Sequence, residues 1–274
     1  GQYDQAISDY NKALEINPGY AGAHYNRGNV YGFKGQYDQA ISDYNKALEI
    51  NPKYAAAYDH RGLAYNYKGQ YDQAISDYNK ALEINPKYTD AYYNRGNVYG
   101  FKGQYDQAIS DYNKALEINP KYAAAYDHRG LAYNSKGQYD QAISDYNKAL
   151  EIDPKYAAAY GHRGLAYNYK GQYDQAISDF NKDLEIDPRH AYAYNHRGSA
   201  YCNKGQYDQA ISDYNKALEI NPAYADAYYN RANAYYSRGD YAKSWDDVKR
   251  AQNLGYQVSP EFLNKLRKAS GKQA

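Results

Sequence analysis

The sequence has one cysteine, no methionine, eight prolines and no excess of either charge. A single thiol, Cys202, cannot close an internal disulfide, and with no second thiol beside it a zinc site built on paired cysteines is excluded. Lys and Arg number 33 against 32 Asp and Glu, a net charge of +1, so the chain has no clustered basic surface for nucleic-acid phosphates and no charged tail. No apolar run is long enough to span a bilayer. The mean hydropathy of -1.04 taken alone points to disorder. Yet 41 Tyr, 4 Phe and 1 Trp are far more aromatic residues than a disordered chain carries, so the tyrosines must pack somewhere.

What is present is a period. Gly1, Gly35, Gly69, Gly103, Gly137, Gly171, Gly205 and Gly239 recur at a constant step, as do Pro18, Pro52, Pro86, Pro120, Pro154, Pro188 and Pro222, and only Pro260 stands outside the series. One 34-residue unit runs from Ala55 to Tyr88. Ala55 to Lys68 and Tyr71 to Ile84 are Gly-poor runs of helical length, separated by Lys68-Gly69-Gln70 and closed by Asn85-Pro86. Gly69 suits the left-handed residue that ends a first helix, and Pro86 stops the second. At about 100° per residue, Tyr71, Ala74, Ile75, Tyr78, Ala81 and Leu82 share one stripe of the second helix, and Tyr58, Gly62 and Tyr65 form the facing stripe of the first. Gly62 reads as a point of close helix approach. Such a hairpin cannot bury its apolar face alone, so stability must come from stacking on neighbours.

The period and the order Tyr58-x-x-Arg61-Gly62-x-x-Tyr65, then Ala74-x-x-x-Tyr78, then Pro86, resemble the tetratricopeptide repeat. The resemblance covers nearly the whole chain and implies an all-α fold: an α-solenoid, a right-handed superhelix of antiparallel helix pairs. Residues 1–258 form a single array, with an N-terminal half-repeat at 1–20 and full repeats starting at Ala21, Ala55, Thr89, Ala123, Ala157, Ala191 and Ala225. Residues 259–274 form a capping helix and tail. Three positions depart from the family pattern. Its Trp is His24 or Tyr, its Phe is Tyr except at Phe180, and its Leu is replaced by Arg27, Arg61, Arg95, Arg129, Arg163, Arg197 and Arg231. An equally regular series, Asp43, Asp77, Asp111, Asp145, Asp179, Asp213 and Asp247, supplies partners, and an Arg–Asp ladder inside the stack is expected.

The ends differ from the interior. Gly1 opens in the middle of a unit and no initiator Met is present, which reads as a fragment. The first helix is expected to expose Tyr3, Ile7, Tyr10 and Leu14 as an apolar patch. At the other end Ser259-Pro260-Glu261 is a strong helix start. Phe262, Leu263 and Leu266 give the last helix an apolar face, Lys265, Arg267, Lys268 and Lys272 solvate the rest, and Trp245 docks it. The copied unit is a pair of repeats, because Asn26 to Phe33 recurs at Asn94 to Phe101 and Asp59 to Leu63 at Asp127 to Leu131.

Catalytic chemistry has no foothold. Cys202 and His196 fall on different sides of one helix with no third group to orient the imidazole, and no Gly-rich phosphate loop stands between a strand and a helix. His60, His128, His162 and His196 are equivalent, but helices pack about 8–10 Å apart whereas zinc needs nitrogens at about 2.0–2.1 Å. No metal, cofactor, nucleic-acid or membrane partner is expected. Variation concentrates instead on the first helix of each unit, opposite its packing stripe, and in the family this face lines the concave groove that contacts a peptide. Here it comprises Tyr25, Asn26, Asn29 and Phe33; Asp59, His60, Leu63 and Tyr67; Tyr93, Asn94, Asn97 and Phe101; Asp127, His128 and Leu131. It continues with His162, Leu165 and Tyr169; Tyr192, Asn195, His196 and Ser199; Tyr229, Asn230, Asn233 and Tyr236. Asn and His can bond a peptide backbone, and Tyr and Phe supply rigid contact area. The cationic clamp of other members has no counterpart, those positions being Gly22, Tyr25, Ala56, Asp59, Asp90 and Tyr93. The expected function is a non-catalytic scaffold that binds an extended peptide or protein segment in the groove. The alternative is a self-assembly module that forms a homo-oligomer through its terminal helices. If the histidines line the groove, affinity should change between about pH 5.5 and 7.5.

Overall fold

The computed structural model describes residues 1–271, so Lys272 and the rest of the tail at 272–274 lie outside the described residues. In the unit Gly1–Lys136 the helices are α1 (Gln2–Ile16), α2 (Ala21–Phe33), α3 (Tyr37–Ile50), α4 (Ala55–Tyr67), α5 (Tyr71–Ile84), α6 (Thr89–Phe101), α7 (Tyr105–Ile118) and α8 (Ala123–Ser135). In the unit from Gly137 onward they are α9 (Tyr139–Ile152), α10 (Ala157–Tyr169), α11 (Tyr173–Ile186), α12 (Ala191–Asn203), α13 (Tyr207–Ile220), α14 (Ala225–Arg238), α15 (Tyr241–Asn253) and α16 (Pro260–Ser270). Among the described residues no strand forms, and no helix is long and apolar enough to cross a membrane.

The punctuation works as the residue types dictate. Gly35 has φ +73°, its N–H reaches the Gly32 carbonyl at 2.9 Å and that of Gln36 reaches Tyr31 at 2.9 Å, the two reciprocal bonds that close a helix end. After the second helix, the Tyr54 N–H donates to the Asn51 carbonyl at 3.2 Å, Asn51 Oδ1 accepts from the Lys53 N–H at 3.1 Å, and Pro52 occupies the turn between them.

Packing follows the two stripes. Ala74, Tyr78, Ala81 and Leu82 are buried on α5, while Tyr71 and Ile75 are half-buried against them. The close approach expected at Gly62 is a ring on a glycine: a Cβ there would lie 2.9 Å from the Tyr78 ring. At Gly28 a Cβ would also meet the Ala40 carbonyl at 3.3 Å, so the helix backbones converge too.

The Arg–Asp ladder is present. Arg61 grips Asp77 with two bonds, Nε to Oδ2 at 2.7 Å and Nη2 to Oδ1 at 2.6 Å, and Arg27 with Asp43 and Arg95 with Asp111 repeat this geometry. In the second unit Arg163, Arg197 and Arg231 hold Asp179, Asp213 and Asp247 in the same way. The third donor of each guanidinium reaches back to an asparagine of the preceding second helix, as Arg61 Nη1 does to Asn45 Oδ1 at 2.6 Å. The plane of Arg61 also lies over the Tyr58 ring at 5.4 Å. One arginine thus ties a first helix to the second helices on both sides, and no family leucine could do this.

At the ends one expectation is adjusted and one is met. Leu14 is buried, because α2 covers it, so the apolar patch on α1 consists of Tyr3, Ile7 and Tyr10 with Ile16, which is 87 % exposed. Trp245 does dock the last helix: it packs with Phe262 and Leu266, and its Nε1–H donates to Ser270 Oγ at 3.1 Å.

Candidate functional site

Within the first unit α2 touches α4, α4 touches α6 and α6 touches α8, whereas each second helix packs chiefly on the first helices that flank it. The first helices therefore share the narrower side of that unit, the side on which the variable residues were expected to gather. Two clefts open there. The first, about 410 Å³, has Asn29, Tyr44 and His60 at its floor and Phe33, Tyr37, Leu63 and Tyr67 as walls, with Gly32 adding no side chain beside the Tyr44 hydroxyl. The second, about 290 Å³, repeats it 68 positions on, with Asn97, Tyr112 and His128 below, Phe101, Tyr105 and Leu131 around, Gly100 beside the Tyr112 hydroxyl and Ser135 in place of Tyr67.

The floor is polar and fully engaged. Tyr44 OH donates to Asn29 Oδ1 at 2.9 Å, and His60 Nδ1 lies 2.7 Å from the same oxygen. A carbonyl oxygen only accepts, so Nδ1 carries the proton and Nε2 the lone pair. Tyr112 and His128 hold Asn97 Oδ1 in the same way, each at 2.7 Å. Above this floor Tyr37 and Tyr67 stack at 5.0 Å, and Phe33 and Phe101 are 75 % and 68 % exposed.

Other expected contact residues turn inward. Asp59, Asp127 and Asn195 are buried, not exposed on the face. Two of them hold asparagines of the same face: Asn94 Nδ2 donates to Asp59 Oδ1 at 3.1 Å and Asn230 Nδ2 to Asn195 Oδ1 at 3.0 Å. Burial, opposed by the Asn94 bond and reinforced by the nearby Asp90, pushes the Asp59 carboxyl up to about 6. The histidines are corrected as well. Burial lowers His60, and burial with the neighbouring His190 brings His196 down to about 4, so both are uncharged at neutral pH and the titration expected between about 5.5 and 7.5 moves lower for these two. Tyr25 is half-buried against Tyr54, while Asn26 remains exposed.

In the second unit the corresponding residues make the following contacts. Leu165 packs with Phe180, Tyr192 lies 4.0 Å from His196, Tyr229 stacks on Tyr256, and Asn233 Nδ2 turns back to the Tyr229 carbonyl. His162 lies 5.9 Å from Tyr146, and Tyr169 stacks on Tyr139. One repeat carries its own ion pair: Asp183 replaces a core alanine, Gly161 leaves room for it, and His190 answers at 2.9 Å, which raises the His190 pKa.

Sequence reasoning did not identify Gly32, Tyr37, Tyr44, Gly100, Tyr105 and Tyr112 as part of the site. The 68-residue step was the available signal, since it sets Gly32 and Gly100 where the intervening repeats have Asn66 and Asn134.

A family model described as TPR repeat matches residues 1–32, 62–100, 130–168, 164–205 and 198–239, well over half the chain. Two further models described as tetratricopeptide repeat match residues 21–54 and 89–122, and 43–76 and 111–144. Among solved structures, a tetratricopeptide repeat protein from Parabacteroides merdae ATCC 43184 superposes with a TM-score of 0.69 at 24 % identity, over 99 % of this chain and 100 % of that one, a likeness of fold alone. YrrB, described as a TPR protein with an unusual peptide-binding site, gives a TM-score of 0.56 at 28 % identity over 67 % of this chain and 95 % of its own. MamA gives 0.55 at 34 % identity over 60 % and 96 %. No curated protein sequence matches the chain.

Proposed function

The chain belongs to the tetratricopeptide repeat family, and from that premise we propose that it is a non-catalytic interaction scaffold whose first-helix face in the unit Gly1–Lys136 takes an extended peptide segment of a protein partner. The observation that carries this reading is the pair of equivalent half-open clefts on one face, each with aromatic walls and a neutral hydrogen-bonded floor. Their floors are rigid before any ligand arrives, because Asn29 and Asn97 are each held from two sides. Rigid aromatic surface with few rotors lowers the ordering cost of binding. YrrB, similar in fold, is described as having an unusual peptide-binding site, which agrees with this use of the scaffold.

The test is selection of a random peptide library on the immobilised chain, with the triple variant Phe33→Ala, Tyr67→Ala, Phe101→Ala as counter-selection. All three side chains are exposed, so their removal leaves the stack intact. Enriched peptides should lose binding to the triple variant. Peptides that bind both proteins equally, or no enrichment at all, would remove this reading.

A further inference from the structure

Gly32 and Gly100 have no packing reason to be glycine. A Cβ at Gly32 would meet only the Tyr44 hydroxyl at 3.7 Å, and one at Gly100 only the Tyr112 hydroxyl at 3.9 Å, both ordinary contacts. At Gly28 and Gly96 a Cβ would strike a tyrosine ring at 2.8 and 2.7 Å. Both spare glycines have negative φ inside helices, where glycine is destabilising relative to alanine. The fold also accepts larger side chains there, since the intervening repeats carry Asn66 and Asn134. What the two glycines preserve is open space in the clefts.

Between the clefts lies charge that the fold does not require either. Asp59 on α4 accepts from Asn94 Nδ2 at 3.1 Å and Tyr88 OH at 3.4 Å, and Asp90 on α6 accepts from Tyr122 OH at 3.4 Å. Among the described residues neither carboxylate has a lysine or arginine partner, and His60, 4.0 Å from Asp59, is neutral. Asn195, in the position equivalent to Asp59, makes the same two contacts without charge: Asn230 donates to it at 3.0 Å and it reaches Tyr224 OH at 3.4 Å. The amide therefore suffices for structure. Asp90 is exposed near the start of α6, Asp59 is buried close enough to it for the two charges to interact, and no Lys or Arg stands among the variable positions of this face.

We propose that this face takes an extended segment with one bulky uncharged side chain in each cleft and a lysine or arginine between them, against the exposed Asp90 and within the field of the buried Asp59. The proposal rests on the reading of the face as a peptide site and names the chemistry of its ligand. The cleft walls hold no ionised group, so a charged anchor would lose its hydration without a partner. A cation between the clefts would instead meet the exposed Asp90 carboxylate and feel the buried one of Asp59 nearby, and both have only neutral donors. The clefts are two repeats apart, about 16–20 Å for helices packed at ordinary separation. At about 3.3 Å per extended residue the two anchors are about five or six positions apart.

The experiment uses the full chain and synthetic peptides with two Phe residues separated by two to nine positions and Lys, Ser or Glu midway, with affinity read by fluorescence anisotropy. Binding should be tightest with Lys near the calculated spacing, and Glu should weaken it about tenfold or more. Gly32→Asn and Gly100→Asn, which import side chains the repeat already carries, should each weaken it about fivefold or more while helicity is unchanged. Asp90→Asn should erase most of the Lys-over-Glu preference, and Asp59→Asn should reduce it. A flat spacing profile, equal binding of Glu peptides, or indifference to both glycine substitutions would overturn the proposal. Failure of all these peptides would overturn it too. If library peptides still required Phe33, Tyr67 and Phe101, only the ligand chemistry would have failed and the broader reading would stand.

Discussion

Tyr44 and Tyr78 hold the same place in successive repeats and differ only in what their hydroxyls meet. The Tyr44 hydroxyl donates to Asn29, whereas that of Tyr78 is buried with no hydrogen-bond partner. Desolvating a hydroxyl without a partner costs about 1–3 kcal/mol. Tyr78→Phe should accordingly be neutral or stabilise by up to about 1 kcal/mol, as the natural Phe180 opposite Leu165 suggests, while Tyr44→Phe should cost about 1 kcal/mol. Urea unfolding of both variants checks this, and a clear loss of stability in Tyr78→Phe would contradict it. Asp59 gives the pH dependence. Its folded pKa, about 6, lies above that of an unfolded aspartate, so the folded state holds the proton more tightly. The contribution of Asp59 to stability therefore rises as pH falls from 7 through about 6 towards 4, and its carboxylate is destabilising above that range. Asp59→Asn should be more stable than the parent at pH 7.5 by about 2–3 kcal/mol, and the gap should shrink at pH 5. A constant difference between the two chains at both pH values would exclude a buried ionised Asp59.

Helices are joined here by two devices that differ in how openly the sequence displays them. The Arg–Asp ladder is legible because the charged series match one for one, and its geometry follows from the 16-residue offset of Arg95 and Asp111. Its third contact, Arg95 with Asn79, is hidden, since an asparagine in every repeat reads as a surface residue. Asp111→Asn leaves Arg95 half-buried with no carboxylate and should cost about 3 kcal/mol. Thermal unfolding measures this, and an unchanged midpoint would mean that the pair is no better than a solvated one. The glycines show the limit of reading by type. As a class they are turn and packing residues, and Gly28, Gly35, Gly62 and Gly96 are, but Gly32 and Gly100 are neither. A cleft is an absence of side chain across two helices, and a single helix pattern does not register it. Gly96→Ala should destabilise by about 1–3 kcal/mol through the Tyr112 ring, whereas Gly100→Ala should stabilise by up to about 1 kcal/mol. Equal effects of the two would refute the distinction drawn from their surroundings.

Within each unit the contacts among the described residues run between neighbouring repeats, so stability is close to a sum of local terms and the least supported helix opens first. The period, the helix pairs and the closing helix are all legible, because spacing and capping residues act locally. What each terminal helix exposes is not, because it depends on which neighbour covers which stripe. Leu14 shows this: it faces α2 and is 8 % exposed, like its equivalent Leu48 at 7 %. Ala6, Tyr10 and Ala13 face the other way and stay half-covered, although their equivalents Ala40, Tyr44 and Ala47 are 0 %, 3 % and 0 % exposed. Helix α16 is better secured. Ser259 Oγ accepts from the Phe262 N–H at 3.2 Å, Pro260 starts the helix, and Phe262 and Leu266 are buried. Native-state hydrogen exchange should therefore find α1 the first helix to lose protection, α16 slower, and α3 and α5 slower still. If α1 proved as protected as α3, its half-covered stripe would have to be covered in solution, and a mass twice that of the chain would then identify a second copy as the cover.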